Sequence, residues 1–254
     1  MRLVSGDVLG PDDVLWARDE FRWLGLQTNR ARDLDVHLGA VDRYRAALPP
    51  RYRAALEPFR RHLLEQAAEA HRTLAMVLGG ARYRALCDGW RARLEHLESV
   101  GPQAQTPIKP LADDKIRRGY RKLVARGRRI DERSPAEQLH ALRVRGKQLR
   151  YLLEFFASLY PAPDIGKLVA RLKKVQDALG DFQDASVQSA SIRGFADEMA
   201  AAGIQDEDVR VAMERIAASI LSRQDEARDA FLREFSRFSD TRIAHRIARL
   251  TEPG

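Results

Sequence analysis

One cysteine, Cys87, serves the whole chain of 254 residues. An internal disulfide is therefore excluded, and so is a zinc site built from cysteines. A lone thiol fits a reducing compartment, and the cytoplasm is the expected location. Apolar runs are short as well. None approaches the roughly 18 residues that a membrane span needs, so no membrane association is expected. The first thirty residues carry Arg2, Asp7, Asp12, Asp13, Arg18, Asp19 and Glu20, which leaves no apolar signal core. Strand-like alternation is nearly missing. So are Gly-rich phosphate loops, a Ser nucleophile motif and HExxH-type spacing. His140, Glu154, Asp181 and Asp184 can be imagined as a metal cluster for phosphohydrolysis, but no His-Asp dyad or HExxH-type spacing supports it, and Asp35-Val36-His37 is too thin a signal. No catalytic residue, metal or cofactor is expected, and the chain reads as a non-enzyme.

What is present is charge and helical periodicity. The chain is 44% apolar and 31% charged, the balance of a folded soluble protein. Its net charge of +8 is segregated. Residues 115–174 hold 17 lysines and arginines against five acids, a net of +12, which leaves the remainder at −4. Solubility does not require such segregation, whereas a focused positive field favours a polyanion.

Apolar residues recur at helical spacing almost throughout, which predicts nine to eleven helices. Residues 1–10 give no clear element. Pro11-Asp12-Asp13 starts a helix to about residue 27 with Val14, Leu15, Phe21, Trp23 and Leu24 as its apolar set, and a turn near Asn29 leads to a second helix ending at Pro49-Pro50. Helices over about 51–78 and 81–98 are separated by Gly79-Gly80. Ser99 to Pro110 is the best linker. A strongly basic helix covers 111–130. Ser134-Pro135-Ala136-Glu137 is a helix-start pattern with Ser134 as the cap. The helix after it places His140, Arg143, Lys147, Arg150 and Tyr151 on one third of its circumference. Leu142, Leu149, Leu152, Leu153 and Phe156 lie opposite. Tyr151 is expected to pack into the core, and Glu154 to hold Arg150 or Lys147. A helix over 164–179 repeats this design and is capped by Gly180. A further helix starts at Asp181 or Asp184, two more cover about 205–222 and 223–236, and the tail from Asp240 reads as a short or frayed helix.

The halves echo each other at an offset of 151. Phe21-Arg22-Trp23-Leu24 falls on Leu172-Lys173-Lys174-Val175, and Arg32-Asp33-Leu34-Asp35-Val36 falls on Gln183-Asp184-Ala185-Ser186-Val187. Each half reads as a helix, a short turn and an Asp at the same place, Asp33 and Asp184 capping helices or pairing with arginines. The run His140-Ala141-Leu142-Arg143-Val144-Arg145-Gly146-Lys147-Gln148-Leu149-Arg150-Tyr151 resembles the signature helix of the CHAD domain, the conserved histidine α-helical domain. Leu179-Gly180-Asp181-Phe182-Gln183-Asp184 and Arg32-Asp33-Leu34-Asp35-Val36 resemble its other motifs. The resemblance covers most of the chain. It implies an all-α fold, a single domain over 1–254 built of two pseudo-symmetric helical bundles (1–100 and 111–254) around a basic cavity. It also implies binding of inorganic polyphosphate, location at polyphosphate granules and polyphosphate-metabolising enzymes as partners. The family carries the His-and-Arg helix twice. The first copy would fall before Met1, so the first bundle is expected to be N-terminally incomplete, with Phe21, Trp23 and Leu24 exposing apolar surface.

Polyphosphate carries about one negative charge per phosphate on a flexible chain. Spaced lysines and the bidentate fork of arginine suit it. The expected contacts are Arg118, Lys122, Arg126 and Arg129 on the first basic helix, His140, Arg143, Lys147 and Arg150 on the second, and Lys167, Arg171 and Lys174 on the third. Reversing Arg143 and Lys147 to Glu is expected to weaken binding with little loss of helicity. The alternative is a general nucleic-acid binding protein. It is disfavoured by the absence of a helix-turn-helix or RNP motif and by few aromatics on the basic faces.

Overall fold

In the computed structural model, residues 9–96, 98, 100–204 and 206–252 are described. Among them lie eight α-helices, two single-turn 3-10 helices and no strand. The helices are α1 (Pro11–Ala47), α2 (Leu56–Leu78), α3 (Ala81–Glu95), α4 (Ile108–Gly127), α5 (Ala136–Phe155), α6 (Ala162–Ala201), α7 (Glu207–Phe238) and α8 (Thr241–Leu250). Most of the opening segment 1–10 lies outside the described residues.

Three predicted breaks do not exist. Asn29, Gly180 and the junction at 222–223 all sit inside continuous helices, α1, α6 and α7. One glycine in a helix costs only about 1 kcal/mol, and the apolar rows on either side of Gly180 share one buried face (Leu168, Leu172, Val175, Leu179, Phe182). Packing along that face outweighs the local penalty. Asp33 and Asp184 are thus interior to helices and cap neither. A glycine does end α6 further on. Gly203 adopts φ +88°, its N–H bonds the Ala200 carbonyl at 3.1 Å, and Ile204 N–H reaches Met199 at 2.9 Å. This is a Schellman closure, which needs the left-handed backbone that glycine tolerates. Ser134 does not cap α5 either, since no side chain caps that helix. Its hydroxyl instead bonds Asp131 Oδ1 at 2.9 Å and accepts the Asp131 N–H at 3.0 Å, closing the turn before Pro135.

The described residues fall into two compact units. The first comprises the residues up to Gln105 together with Gln188–Ser219, and the second comprises Thr106–Val187 together with the residues from Ile220 onward. One boundary lies in the predicted linker, and the other two lie within α6 and α7.

In the first unit α1 packs along α2, and Leu34, Val41, Tyr44, Leu56, Phe59 and Leu63 are buried. The C-terminal part of α6 adds Ile192, Phe195 and Met199 to this core. The apolar set predicted for the start of α1 is not core. Leu15 and Phe21 are exposed, and Trp23 and Leu24 are half-buried. This end of the helix meets α3, where Trp16 stacks on Trp90 and Phe21 meets the same ring edge-on.

In the second unit α4 packs on α5, with Ile116, Leu123, Leu142, Leu149 and Leu153 buried between faces of the predicted polarity. α6 and α7 supply Leu168, Leu172, Val175, Phe182, Phe231, Phe235 and Phe238. Phe235 lies against Gly127 so closely that no Cβ fits there. A polar clasp ties the chain's end to α4. Buried Asp113 accepts from Tyr160 Oη at 2.8 Å and Lys109 Nζ at 2.7 Å, and Lys109 also reaches the Leu250 carbonyl at 3.4 Å. Burial and the adjacent carboxylate push the Tyr160 hydroxyl far above its ordinary range.

Candidate polyanion site

The second unit holds a hollow of about 750 Å³. Three of its lining side chains come from the basic stripe of α6, namely Lys167, Arg171 and Lys174. Four residues apart and then three, they rise about 10 Å along one helix face. Opposite them stand Arg237 from the end of α7 and Arg242 and Arg246 from α8, with Ala170 and Ile243 between. Six cations thus line one concavity with a single acid, Asp240.

The acids nearby hold guanidinium groups in place. Asp240 caps α8, accepting Arg242 N–H at 3.0 Å, and its other oxygen pairs with the Arg242 guanidinium at 3.0 Å. The Arg242 backbone bond, then the Arg242 side chain and the Thr241 hydroxyl, keep this carboxyl below the usual range. Glu234 bonds Arg237 at 2.6 Å and lies 3.7 Å from Arg171. Asp164 lies 3.7 Å from Arg246. Lys167 and Lys174 are exposed, and among the described residues no acid pairs with either. Two free ammonium groups and four pre-positioned guanidinium groups can grip several phosphate oxygens at once.

The other predicted contacts do not line this hollow. On α4, Arg118 is held by Asp114 one turn earlier. Lys122 and Arg126 are exposed on the same helix, and Arg129 lies in the turn after it. The α5 face is less open than its wheel predicts, because it leans on α6. His140 Nδ1 lies 3.1 Å from Gln183 Oε1. Arg143 Nε is buried without a hydrogen-bond partner, 3.9 Å from where a side chain at Gly180 would begin. Both amide atoms of buried Gln176 are likewise unpaired, beside Gly146. Arg143 is half-buried, so a carboxylate placed there would lie against α6 as well as change the charge of the face. Arg150 pairs with Glu154 at 3.5 Å, as expected. Tyr151 is 49% exposed, not core. Burial and then the charges of Asp184 and Asp177 push the Asp181 carboxyl upward, against the pull of Arg223.

Arg242 and Arg246 do not stand out in the sequence because the tail from Asp240 reads as polar and frayed, and Arg237 falls just past the helix predicted to end at 236. The signal was present: Asp240 followed by Arg242, Ile243, Arg246, Ile247 and Leu250 is a capped amphipathic turn pattern. Among the described residues no helix is long and apolar enough to cross a membrane, and no group of three metal-ligating side chains gathers.

The molecule is an all-α protein whose second unit presents a cation-lined hollow. The family model of the CHAD domain matches residues 1–193, and the chain belongs to that family. PptA from Streptomyces chartreusis is similar in structure, with a TM-score of 0.62 and 19% identity over 92% of this chain and 86% of that one. That likeness shows the fold. No curated protein matches. Arg237, Arg242 and Arg246 lie beyond the family match, which ends at residue 193.

Proposed function

We propose that the chain binds inorganic polyphosphate without turning it over. The observation that supports this best is the convergence of six cations and one acid on a single hollow. Condensed phosphate offers closely spaced oxygens on a flexible backbone. A concave array of lysines and arginines meets that charge density better than a flat basic face does. Family membership points the same way. The contact set is Arg118, Lys122, Arg126, Arg129, His140, Arg143, Lys147, Arg150, Lys167, Arg171 and Lys174, extended by Arg237, Arg242 and Arg246. A role at polyphosphate granules, beside polyphosphate-metabolising enzymes, follows from this binding.

The test is binding of labelled long-chain polyphosphate at about 0.15 M salt with duplex DNA as competitor, on the wild type and on Arg242→Glu. Duplex DNA offers phosphates at lower density and no free base faces. The expected result is displacement by unlabelled polyphosphate at far lower phosphate concentration than by DNA, together with weakened binding in the variant. Equal displacement, or an unaffected variant, would refute the proposal.

A further inference from the structure

α5 carries apolar side chains where polyphosphate has no use for them. Tyr151 is 49% exposed and Phe155 75%, with Val144 exposed on the same strip. These positions lie on the side of α5 that bears His140 and Lys147. Tyr151 and Phe155 are four residues apart, one above the other along the helix, at about 6 Å of rise. Arg150 Cζ lies 5.4 Å from the Tyr151 ring centroid. Phe155 meets Phe156 edge-on at 4.9 Å, and Phe156 is buried, which anchors the exposed ring.

A phosphate chain presents only charge and has nothing to stack on a ring. Exposed rings set among cations suit a polyanion that also carries flat, apolar faces. Aliphatic protein partners would be served by leucines, whereas this strip offers two rings beside Lys147 and Arg150, the latter paired with Glu154 one turn on. We infer that the α5 strip is a second site, which binds single-stranded nucleic acid. Bases stack on Tyr151 and Phe155 while the backbone phosphates lie along Lys147 and Arg150. Duplex DNA keeps its bases stacked inside and gains nothing from the rings.

Lys147 and Arg150 also belong to the proposed polyphosphate contacts, but Tyr151 and Phe155 belong to neither those contacts nor the hollow, so the two rings test this site separately. The test compares a labelled 12-nucleotide oligo(dT) with a 12-unit abasic strand of the same backbone and charge, at about 0.05 M salt. The wild type should bind the base-bearing strand about tenfold tighter or more. Tyr151→Ala with Phe155→Ala should bring that ratio to about one and leave affinity for polyphosphate unchanged. Both side chains are solvent-exposed, and Tyr151→Trp, which keeps a ring, should retain the ratio. A ratio near one in the wild type, an unchanged ratio in the double variant, or equal loss on both strands would each overturn the inference.

Discussion

Lys174 and Glu234 should move polyphosphate affinity in opposite directions. Lys174 is an exposed, unpaired ammonium on the wall of the hollow. A charge about 4 Å from a phosphate gains ~1 kcal/mol in water and up to ~4 kcal/mol near a protein surface. Exposed pairs sit near the lower limit. Lys174→Ala should therefore cost about 1 kcal/mol, roughly fivefold in Kd, and Lys174→Glu about 2 kcal/mol, roughly thirtyfold. Each lost phosphate contact should also lower the slope of log Kd against log salt by about one. Glu234 works against the ligand. Its two oxygens face Arg237 at 2.6 Å and Arg171 at 3.7 Å, both of which line the hollow. Glu234→Gln removes that competing charge and should tighten binding about fivefold. Lys167 lies seven residues from Lys174, about 10 Å along α6, so the double charge reversal should be near additive. The assay is anisotropy of labelled polyphosphate over a salt series, with circular dichroism as the control for helicity. Unchanged affinity and slope in Lys174→Glu, or weaker binding in Glu234→Gln, would refute the assignment of the hollow.

Gly127→Ala should lower thermal stability by about 1–3 kcal/mol, because its Cβ would collide with Phe235. Gly194→Ala, inside α6 with nothing within 4 Å of the new Cβ, should raise it by about 0.5–1 kcal/mol. Melting temperatures of the two variants should shift in opposite senses. Asp113→Ala should cost about 3 kcal/mol, since it strips Lys109 and the Tyr160 hydroxyl of a buried partner. Tyr160→Phe should cost about 1 kcal/mol. Denaturant midpoints of the two variants would show whether the order holds. His37 is buried against Tyr44 and Phe195, and its pKa is lowered by that burial, with Asp33 opposing. The unfolded chain therefore takes up this proton first as pH falls through about 6.5. The contribution of neutral His37 to stability is complete above that pH and is lost on acidification toward its lower folded-state pKa. Melting temperature between pH 7.5 and 5.5 should fall less in His37→Gln than in the wild type, and parallel slopes would contradict the assignment.

Periodicity made most of this fold legible. Leu142, Leu149, Leu152 and Leu153 are buried as their spacing requires, and α2 buries Phe59 and Leu63 on its predicted face. What failed were the punctuation marks. A glycine or an asparagine is a weak stop signal, and α6 runs through Gly180 because a continuous apolar row lies on both sides, while α1 runs through Asn29 into the buried row from Ala31 to Tyr44. The site was half legible. Lys167, Arg171 and Lys174 follow from helical spacing alone, but their facing partners on α7 and α8 lie some sixty to eighty residues away in sequence, and no local pattern reports that convergence. Arg143 shows the opposite failure, for a wheel gives the direction of a side chain and not the neighbour it meets. Its Nε is buried beside Gly180 because a second helix lies there.

The first unit takes part of its core from residues 188–219, far along the chain from α1 and α2. Phe195 lies 5.8 Å from Phe59 and 5.2 Å from His37, so these groups find their partner only after it has been synthesised. At translation speeds of about 5–20 residues per second, the wait after Gln105 leaves the ribosome is roughly 5–20 s. For that interval the apolar faces of α1 and α2 form an unfinished nascent domain. Holdase chaperones would meet this protein in that window, and release of a fragment ending near Gln105 would prolong the exposure indefinitely.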